Sequence, residues 1–167
     1  MCGCQDVRRT DGVFGSLCGY EWTMALIDSK GYAHVRITCT DIVRSKAFYD
    51  LVFGWPIAVD QSSSVDEPGV RESQARLYGG TIYQTPSGAL FGLRPVADSG
   101  QRFDPNRTGL DHVSFTVDSR EDLVIAAQRL ADADIEHGEV TDLTGSGIAI
   151  LSFQDPDGVN LELTALL

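Results

Sequence analysis

The feature that most constrains the fold of this chain is an internal repeat. In the first copy His34 stands seven residues before Asp41, and in the second copy His112 stands seven residues before Ser119. Both Asp41 and Ser119 are of the residue types that cap helix N-termini. Each copy continues with an apolar stripe at helical spacing, strand-like runs, a turn containing Pro and Gly, and a final strand. This shared order predicts two duplicated βαβββ units.

The spacing inside the two copies supports the same register. From His34 to the turn glycine Gly88 is 54 residues, and from His112 to the turn glycine Gly158 is 46 residues. The polar loop around residues 62–68 of the first copy can absorb this difference of eight residues. We therefore expect an α+β fold in which two βαβββ modules form a cupped mixed sheet with the helices on its outer face.

The individual elements follow from hydrophobic periodicity. A helix is expected over residues 42–53 and a second helix after Ser119. The first has an apolar stripe at helical spacing, formed by Val43, Ala47, Phe48, Leu51 and Val52. Strands are expected at residues 32–40, 55–59, 76–83, 89–95, 109–117, 135–140, 147–153 and 159–166. Gly79 and Gly80 are interpreted as a bulge in the third of these strands.

The chain divides into four segments by composition. Residues 1–31 lack any period and are expected to be a poorly ordered leader, in which Cys2, Cys4 and Cys18 are reduced thiols and Met24 is an alternative start. Residues 32–94 form the first module and residues 109–167 the second. Residues 95–108, with Pro, Gly and charge but no period, are a linker.

The charge balance narrows the classes of partner. Twenty-four acidic residues against thirteen basic ones give a net charge of −11, which disfavours nucleic acid and anionic membrane surfaces. The apolar stretches are too short to span a bilayer, and no secretory signal pattern is found. A cytoplasmic protein with a small-molecule substrate or ligand is expected.

The polar faces of the first and last strands carry the candidate chemistry. If the two sheets curl toward each other, His34, His112 and Glu162 converge from separate strands. Two imidazoles and one carboxylate with open positions suit a divalent ion: Fe, Mn, Ni, Co or Zn. The alternative is that each histidine is simply hydrogen-bonded and half-buried, but two of the chain's three histidines occupy the same position in the two repeats.

Other side chains on these faces are candidates for binding the substrate. Arg36 and Arg94 would favour a carboxylate or an enolate-forming substrate; alternatively they neutralise Glu162 or reach solvent. The remaining candidates are Thr38, Ser114 and Asn160. Tyr78 and Tyr83 either supply hydroxyl groups to the cavity or belong to the core.

Two segments carry a resemblance to a known family. HVRITCTDIVRSKAFYDLVFGWP resembles the opening module of the vicinal oxygen chelate superfamily of glyoxalases, bleomycin resistance proteins and extradiol dioxygenases, and GLDHVSFTVDS with DPDGVNLELTA resembles its second module. The resemblance covers residues 32–166. It implies a cup around a divalent metal, with ligand positions that His34, His112 and Glu162 match. At the fourth position stands Gly92, which cannot be a ligand.

The resemblance also implies the function classes to be weighed. The first is a metal-dependent enzyme, dioxygenase- or lyase-like, acting on a small oxygen-chelating metabolite with Glu162 as its catalytic carboxylate. The second is a metal-free module that binds or sequesters a small molecule. Family members commonly pair, so a homodimer is expected, and the ligands meet either within one chain or between two. Extradiol enzymes add a further acid–base histidine, for which only His137 is left; an edge or surface position explains His137 better.

Overall fold

The computed structural model describes residues 16–17, 20–21, 26–27 and 29–167. The chain divides into two units after residue 31, and both modules belong to the second unit, residues 32–167. In the first unit β1 (Ser16–Leu17) pairs with β2 (Tyr20–Glu21). The rest of the leader, including Cys2, Cys4 and Cys18, lies outside the described residues. The predictions of poor order and of reduced thiols there therefore stay predictions. No helix in the described part of the chain is long and apolar enough to cross a membrane.

The second unit contains the two predicted βαβββ modules. The first consists of β3 (His34–Thr38), α1 (Ile42–Val52), β4 (Ile57–Asp60), β5 (Thr81–Gln84) and β6 (Leu90–Arg94). The second consists of β7 (Val113–Thr116), α2 (Arg120–Asp132), β8 (Thr141–Leu143), β9 (Ile148–Gln154) and β10 (Asn160–Leu166). In each four-stranded sheet the first strand pairs in parallel with the last, and the other pairs are antiparallel.

Two of the predicted strands are wrong in part. Residues 74–79 form 3₁₀ turns, so only residues 81–83 of the expected strand at 76–83 belong to a strand, which continues to Gln84. Leu77 and Tyr78 turn the chain there with positive φ angles of 52° and 61°. Residues 135–140 contain a single bridge to β9 instead of a strand. The apolar Ile135 closes the end of α2, because its N–H donates to Leu130 after Asp134 adopts a left-handed conformation.

The apolar stripe expected for α1 faces the core only in part, through Phe48 and Val52. The helix buries Ile42, Ser45 and Tyr49, whereas Val43 is 72% and Leu51 67% exposed. The Tyr49 ring packs 5.0 Å from that of Phe91 in β6. Burying this large ring gains more than burying the aliphatic side chains, so it sets the rotation of the helix.

An aromatic core joins the two modules. Phe53, just after α1, lies with its ring 4.9 Å from Phe115 of β7 and 4.2 Å from Trp55. Phe91 of β6 lies 5.8 Å from Phe115. Phe91 and Phe115 point from the helix-bearing faces of their sheets. The polar face of each sheet therefore lies on the side away from this shared core.

The turn before β10 holds the modules together by polar contacts. Asp157 is 5% exposed and accepts hydrogen bonds from the backbone N–H of Thr40 at 2.8 Å and from its hydroxyl at 2.6 Å. Arg44 of α1 forms an ion pair with the same carboxylate. Asp155 accepts two backbone N–H groups of its own turn and the Tyr49 hydroxyl at 3.3 Å. The turn is thus an intermodule clamp, defined by Asp155 and Asp157 with their partners in the first module.

Candidate functional site

Two of the three predicted metal ligands meet on the polar face of the second sheet. His112, immediately before β7, places its Nε2 atom 3.9 Å from Oε1 of Glu162 in β10. The contact follows from the parallel pairing of the two strands, in which Glu162 lies opposite Ser114. The His112 side chain is 44% exposed and that of Glu162 is 16% exposed. A nitrogen and a carboxylate oxygen therefore face each other where solvent can reach them.

Neighbouring groups hold the His112 ring in this orientation. The Nδ1 atom lies 2.6 Å from a carboxylate oxygen of Asp111. The Asp111 carbonyl oxygen accepts a hydrogen bond from the amide of Asn160 at 3.3 Å, and Gln154 donates to that amide at 2.9 Å. A carboxylate on one ring nitrogen fixes the tautomer that leaves the other nitrogen free as a ligand. Asn160, predicted to bind substrate, lies where it supports Asp111.

Glu162 is held by a short chain of hydroxyl groups. Thr164 donates to Oε1 of Glu162 at 3.0 Å, and Ser114 lies 2.5 Å from the Thr164 hydroxyl. Because a hydroxyl has one proton to donate, Ser114 must donate to Thr164. Among the described contacts, Oε2 of Glu162 accepts no hydrogen bond. The carboxylate therefore keeps one oxygen for another partner.

The structure does not bring His34 to this pair within one chain. His34 begins β3 in the other sheet, where its side chain is exposed. In the part of the chain that the structure describes, no group of three or more His, Cys, Asp or Glu side chains is placed to hold a metal ion. Of the predicted set, one chain thus assembles His112 with Glu162 only.

The predicted fourth ligand position is filled by an arginine side chain. Gly92 of β6 pairs with Arg36 of β3. A Cβ atom at Gly92 would lie 2.9 Å from Cγ of Arg36. The arginine therefore lies directly over the glycine and takes the space of the side chain that the second module has there.

Arg36 and Arg94 share an aromatic platform. The guanidinium carbon of Arg94 lies 4.0 Å from the centre of the Tyr78 ring, and that of Arg36 lies 5.6 Å from it. Nη2 of Arg36 donates to the carbonyl oxygen of Leu77 at 3.3 Å. The Nε atoms of both arginines are buried and lack a hydrogen-bond partner among the residues that the structure describes. Tyr78 therefore faces the polar side of the first sheet.

The other residues considered in the sequence fall in different places. Thr38, at the end of β3, is exposed. Tyr83 is fully buried and donates to Asp50 at 2.9 Å, so it belongs to the core, and burial with the Asp50 carboxylate raises its pKa. His137 pairs with the backbone of β9, and its Nδ1 lies 2.7 Å from the Gly138 carbonyl oxygen.

Sequence reasoning missed the groups that support the candidate ligands. Asp111 precedes His112 directly, so the dipeptide itself is the signal that could have found it. Thr164 follows Glu162 by two residues and shares its face, but Thr is too common in strands to single out. The contact of Tyr78 with the arginines depends on the left-handed turn at residues 77–78, which no alternation pattern indicates.

Comparisons with known proteins agree with this architecture. The family model described as Glyoxalase/Bleomycin resistance protein/Dioxygenase superfamily matches residues 31–163. An uncharacterized protein of Bacillus subtilis, YwkD, is 30% identical over 134 residues, which are 80% of this chain and 95% of that protein.

Solved structures show the same fold. A glyoxylase/bleomycin resistance protein/dioxygenase domain from Frankia sp. EAN1pec matches with a TM-score of 0.66 and 28% identity, covering 84% of this chain and all of that one. A mutant of the fosfomycin resistance protein FosX from Listeria monocytogenes, complexed with Mn(II) and a dihydroxypropylphosphonic acid, matches with a TM-score of 0.62 and 14% identity, covering 84% and 95%. With two βαβββ modules and a family match over most of its length, this chain belongs to the Glyoxalase/Bleomycin resistance protein/Dioxygenase superfamily.

Proposed function

We propose that this protein is a divalent-metal-dependent vicinal oxygen chelate enzyme that acts on a small oxygen-chelating metabolite. The observation that carries the proposal is the distance of 3.9 Å between His112 Nε2 and Glu162 Oε1. Asp111 holds the His112 ring, and Thr164 holds the Glu162 carboxylate. Cis ligands of one ion lie about 3 Å apart at ordinary bond lengths of about 2.1 Å. A movement of less than about 1 Å would therefore let both atoms bind one cation.

The third ligand in this proposal is His34 of a second copy of the chain. The polar faces of both sheets lie on the far side from the shared aromatic core, and His34 makes no hydrogen bond or ion pair with the described residues. Association of the first module of one chain with the second module of another brings these polar faces together. The proposed site is therefore completed in a homodimer.

The roles of the side chains follow from their contacts. When bound, the ion would polarise two neighbouring oxygens of the substrate as a Lewis acid. His112, held by Asp111, presents its Nε2 atom to the ion. Glu162 keeps Oε2 available to accept or return a proton, while Thr164 stabilises the charge on Oε1. Thr38 and Ser114 remain proposed contacts for polar groups of the substrate.

Metal titration tests the proposal directly. Protein treated with EDTA and dialysed is titrated with Mn(II), and binding is followed by electron paramagnetic resonance. We expect about one ion per chain, with affinity at least ten-fold weaker in His34→Ala, His112→Ala and Glu162→Gln. His137→Ala is the matched control, because it removes the remaining histidine without touching the proposed site. Equal binding by all these variants would contradict the ligand assignment.

A mixing experiment tests whether the site spans two chains. A His34→Ala chain is mixed with a His112→Ala/Glu162→Gln chain, and the mixed dimer is isolated by two different affinity tags. If the ligands come from two chains, one intact site is restored and the mixed dimer binds one Mn(II). If all three ligands come from one chain, the mixed dimer binds none.

A metal-free binding protein is the second candidate function. It is favoured by the first module, in which Arg36 covers Gly92 and no carboxylate or imidazole stands at the fourth ligand position. Under this alternative the wild-type protein binds no Mn(II) in the titration, and a small-molecule ligand raises the thermal midpoint equally with and without EDTA.

A further inference from the structure

The polar face of the first module carries two positive charges without a counter-charge. Arg36 and Arg94 form no ion pair with a described residue, although the chain has 24 acidic residues. Both guanidinium groups contact the ring of Tyr78, and the two buried Nε–H groups have no acceptor within the described part of the chain. Two like charges that contact the same ring repel each other, and the ring offsets only part of that cost. An anion beside the two guanidinium groups would supply the missing counter-charge.

The backbone at residues 77–80, which carries the Tyr78 ring, packs closely against neighbouring segments of the chain. Leu77 and Tyr78 have positive φ angles, and Gly79 follows with a φ of 75°. A Cβ at Gly79 would lie 2.8 Å from Val65, and one at Gly80 would lie 2.0 Å from a backbone oxygen of Leu93. Left-handed conformations cost non-glycine residues free energy and persist where the surrounding structure fixes them. The close packing at Gly79 and Gly80 therefore holds the backbone that carries Tyr78.

The platform lies close to the proposed metal ligand of the same module. Arg36 is two residues from His34 on one face of β3, about 7 Å along the strand. Arg94 of β6 pairs with Thr38, which is two residues beyond Arg36 along β3 and so further from His34. A substrate with chelating oxygens at the ion would extend along β3 toward the two guanidinium groups.

We infer that Arg36, Arg94 and Tyr78 form an oxyanion receptor, which makes the substrate a small acid. Its charged carboxylate or phosphoryl group binds the arginines, at the end opposite the oxygens that chelate the metal. Guanidinium groups suit planar, two-point recognition of such oxyanions. This inference rests on the proposed function for its orientation of the substrate. The binding of the anion itself requires only the first module's face.

Calorimetric titration of the full chain with simple anions tests the receptor. The probes are succinate, inorganic phosphate and the neutral analogue succinamide, each with EDTA-treated protein at low ionic strength. We expect an oxyanion to bind and succinamide not to bind. Tighter binding of succinate assigns a carboxylate, and tighter binding of phosphate assigns a phosphoryl group. Equal binding of succinate and succinamide would overturn the receptor.

Variants separate this site from general charge effects. Arg36→Gln and Arg94→Gln are expected to weaken oxyanion binding at least ten-fold. Arg107→Gln makes the same change of charge at a side chain that is 85% exposed. This variant should bind oxyanions with the same affinity as the wild type. Gly92→Ala should also weaken binding, because the new methyl group displaces Arg36. A loss shared equally by Arg107→Gln would refute a specific site.

Repeating the titration with Mn(II) distinguishes this inference from the proposed function. Oxyanion binding that requires the arginines, in a protein that binds no Mn(II), would refute the metal-dependent function and support the receptor. Mn(II) binding through His112 and Glu162 without oxyanion binding would refute the receptor and support the metal site.

Discussion

The intermodule clamp gives the sharpest prediction of stability, through the substitution Asp157→Asn. The wild-type carboxylate accepts two hydrogen bonds from Thr40 and pairs with Arg44. Asparagine keeps one acceptor oxygen but turns an N–H₂ group toward one of these donors. Losing one hydrogen bond to a buried charged group costs about 1.5–3 kcal/mol. The ion pair adds up to about 1 kcal/mol, since Arg44 is half-exposed.

The free energy of unfolding should therefore fall by about 1.5–4 kcal/mol, a decrease of roughly 3–16 °C in the thermal midpoint. Urea denaturation followed by tryptophan fluorescence measures it, because Trp55 packs between the modules. Arg44→Gln should cost less than about 1 kcal/mol, which separates the ion pair from the Thr40 hydrogen bonds. Asp66→Asn is the exposed control, with a side chain that is 90% accessible. Equal stability of Asp157→Asn and Asp66→Asn would refute the clamp.

Three further predictions concern buried positions. Burial raises the pKa of Asp155, so ionisation of this carboxyl group weakens the folded state. The free energy of unfolding of the wild type should therefore fall, relative to that of Asp155→Asn, as the pH rises from about 4 to 7. Urea denaturation of both proteins at these two pH values measures the difference. Gly80→Ala should destabilise by more than about 3 kcal/mol because its methyl group meets a backbone oxygen, whereas Gly145→Ala, in open space, should cost less than about 1 kcal/mol. Burial raises the pKa of the Cys39 thiol to about 11, so the Cys39 peptide should stay unlabelled by iodoacetamide at pH 8 until urea unfolds the protein, as mass spectrometry would show.

The repeat made most of the fold predictable. Alternation in β3 and β7 and the caps Asp41 and Ser119 depend on local chemistry, and both caps make the expected hydrogen bonds to the first turns of their helices. Prediction from local hydrophobic patterns failed where an apolar residue ends a helix instead of forming a strand. Ile135 looked like a strand residue, but it closes α2.

The candidate site was predictable only as a set of residue types. Strand register places His112 beside Glu162, so their pairing follows from the sequence once the repeat is recognised. The position of His34 relative to that pair depends on how the modules pack. Packing is governed by large aromatic side chains such as Phe115, whose contacts join residues far apart in the chain.

The sequence by itself determined two βαβββ modules, the polar face of each sheet and the residue types on those faces, because strand alternation and helix capping are local properties. Tertiary structure alone decided that the helix-bearing faces share one core, that Asp157 joins the modules, and that Arg36 and Arg94 meet over Tyr78. Those contacts connect distant segments of the chain. Their geometry depends on side-chain volume and backbone turns, which no pattern of hydrophobicity specifies.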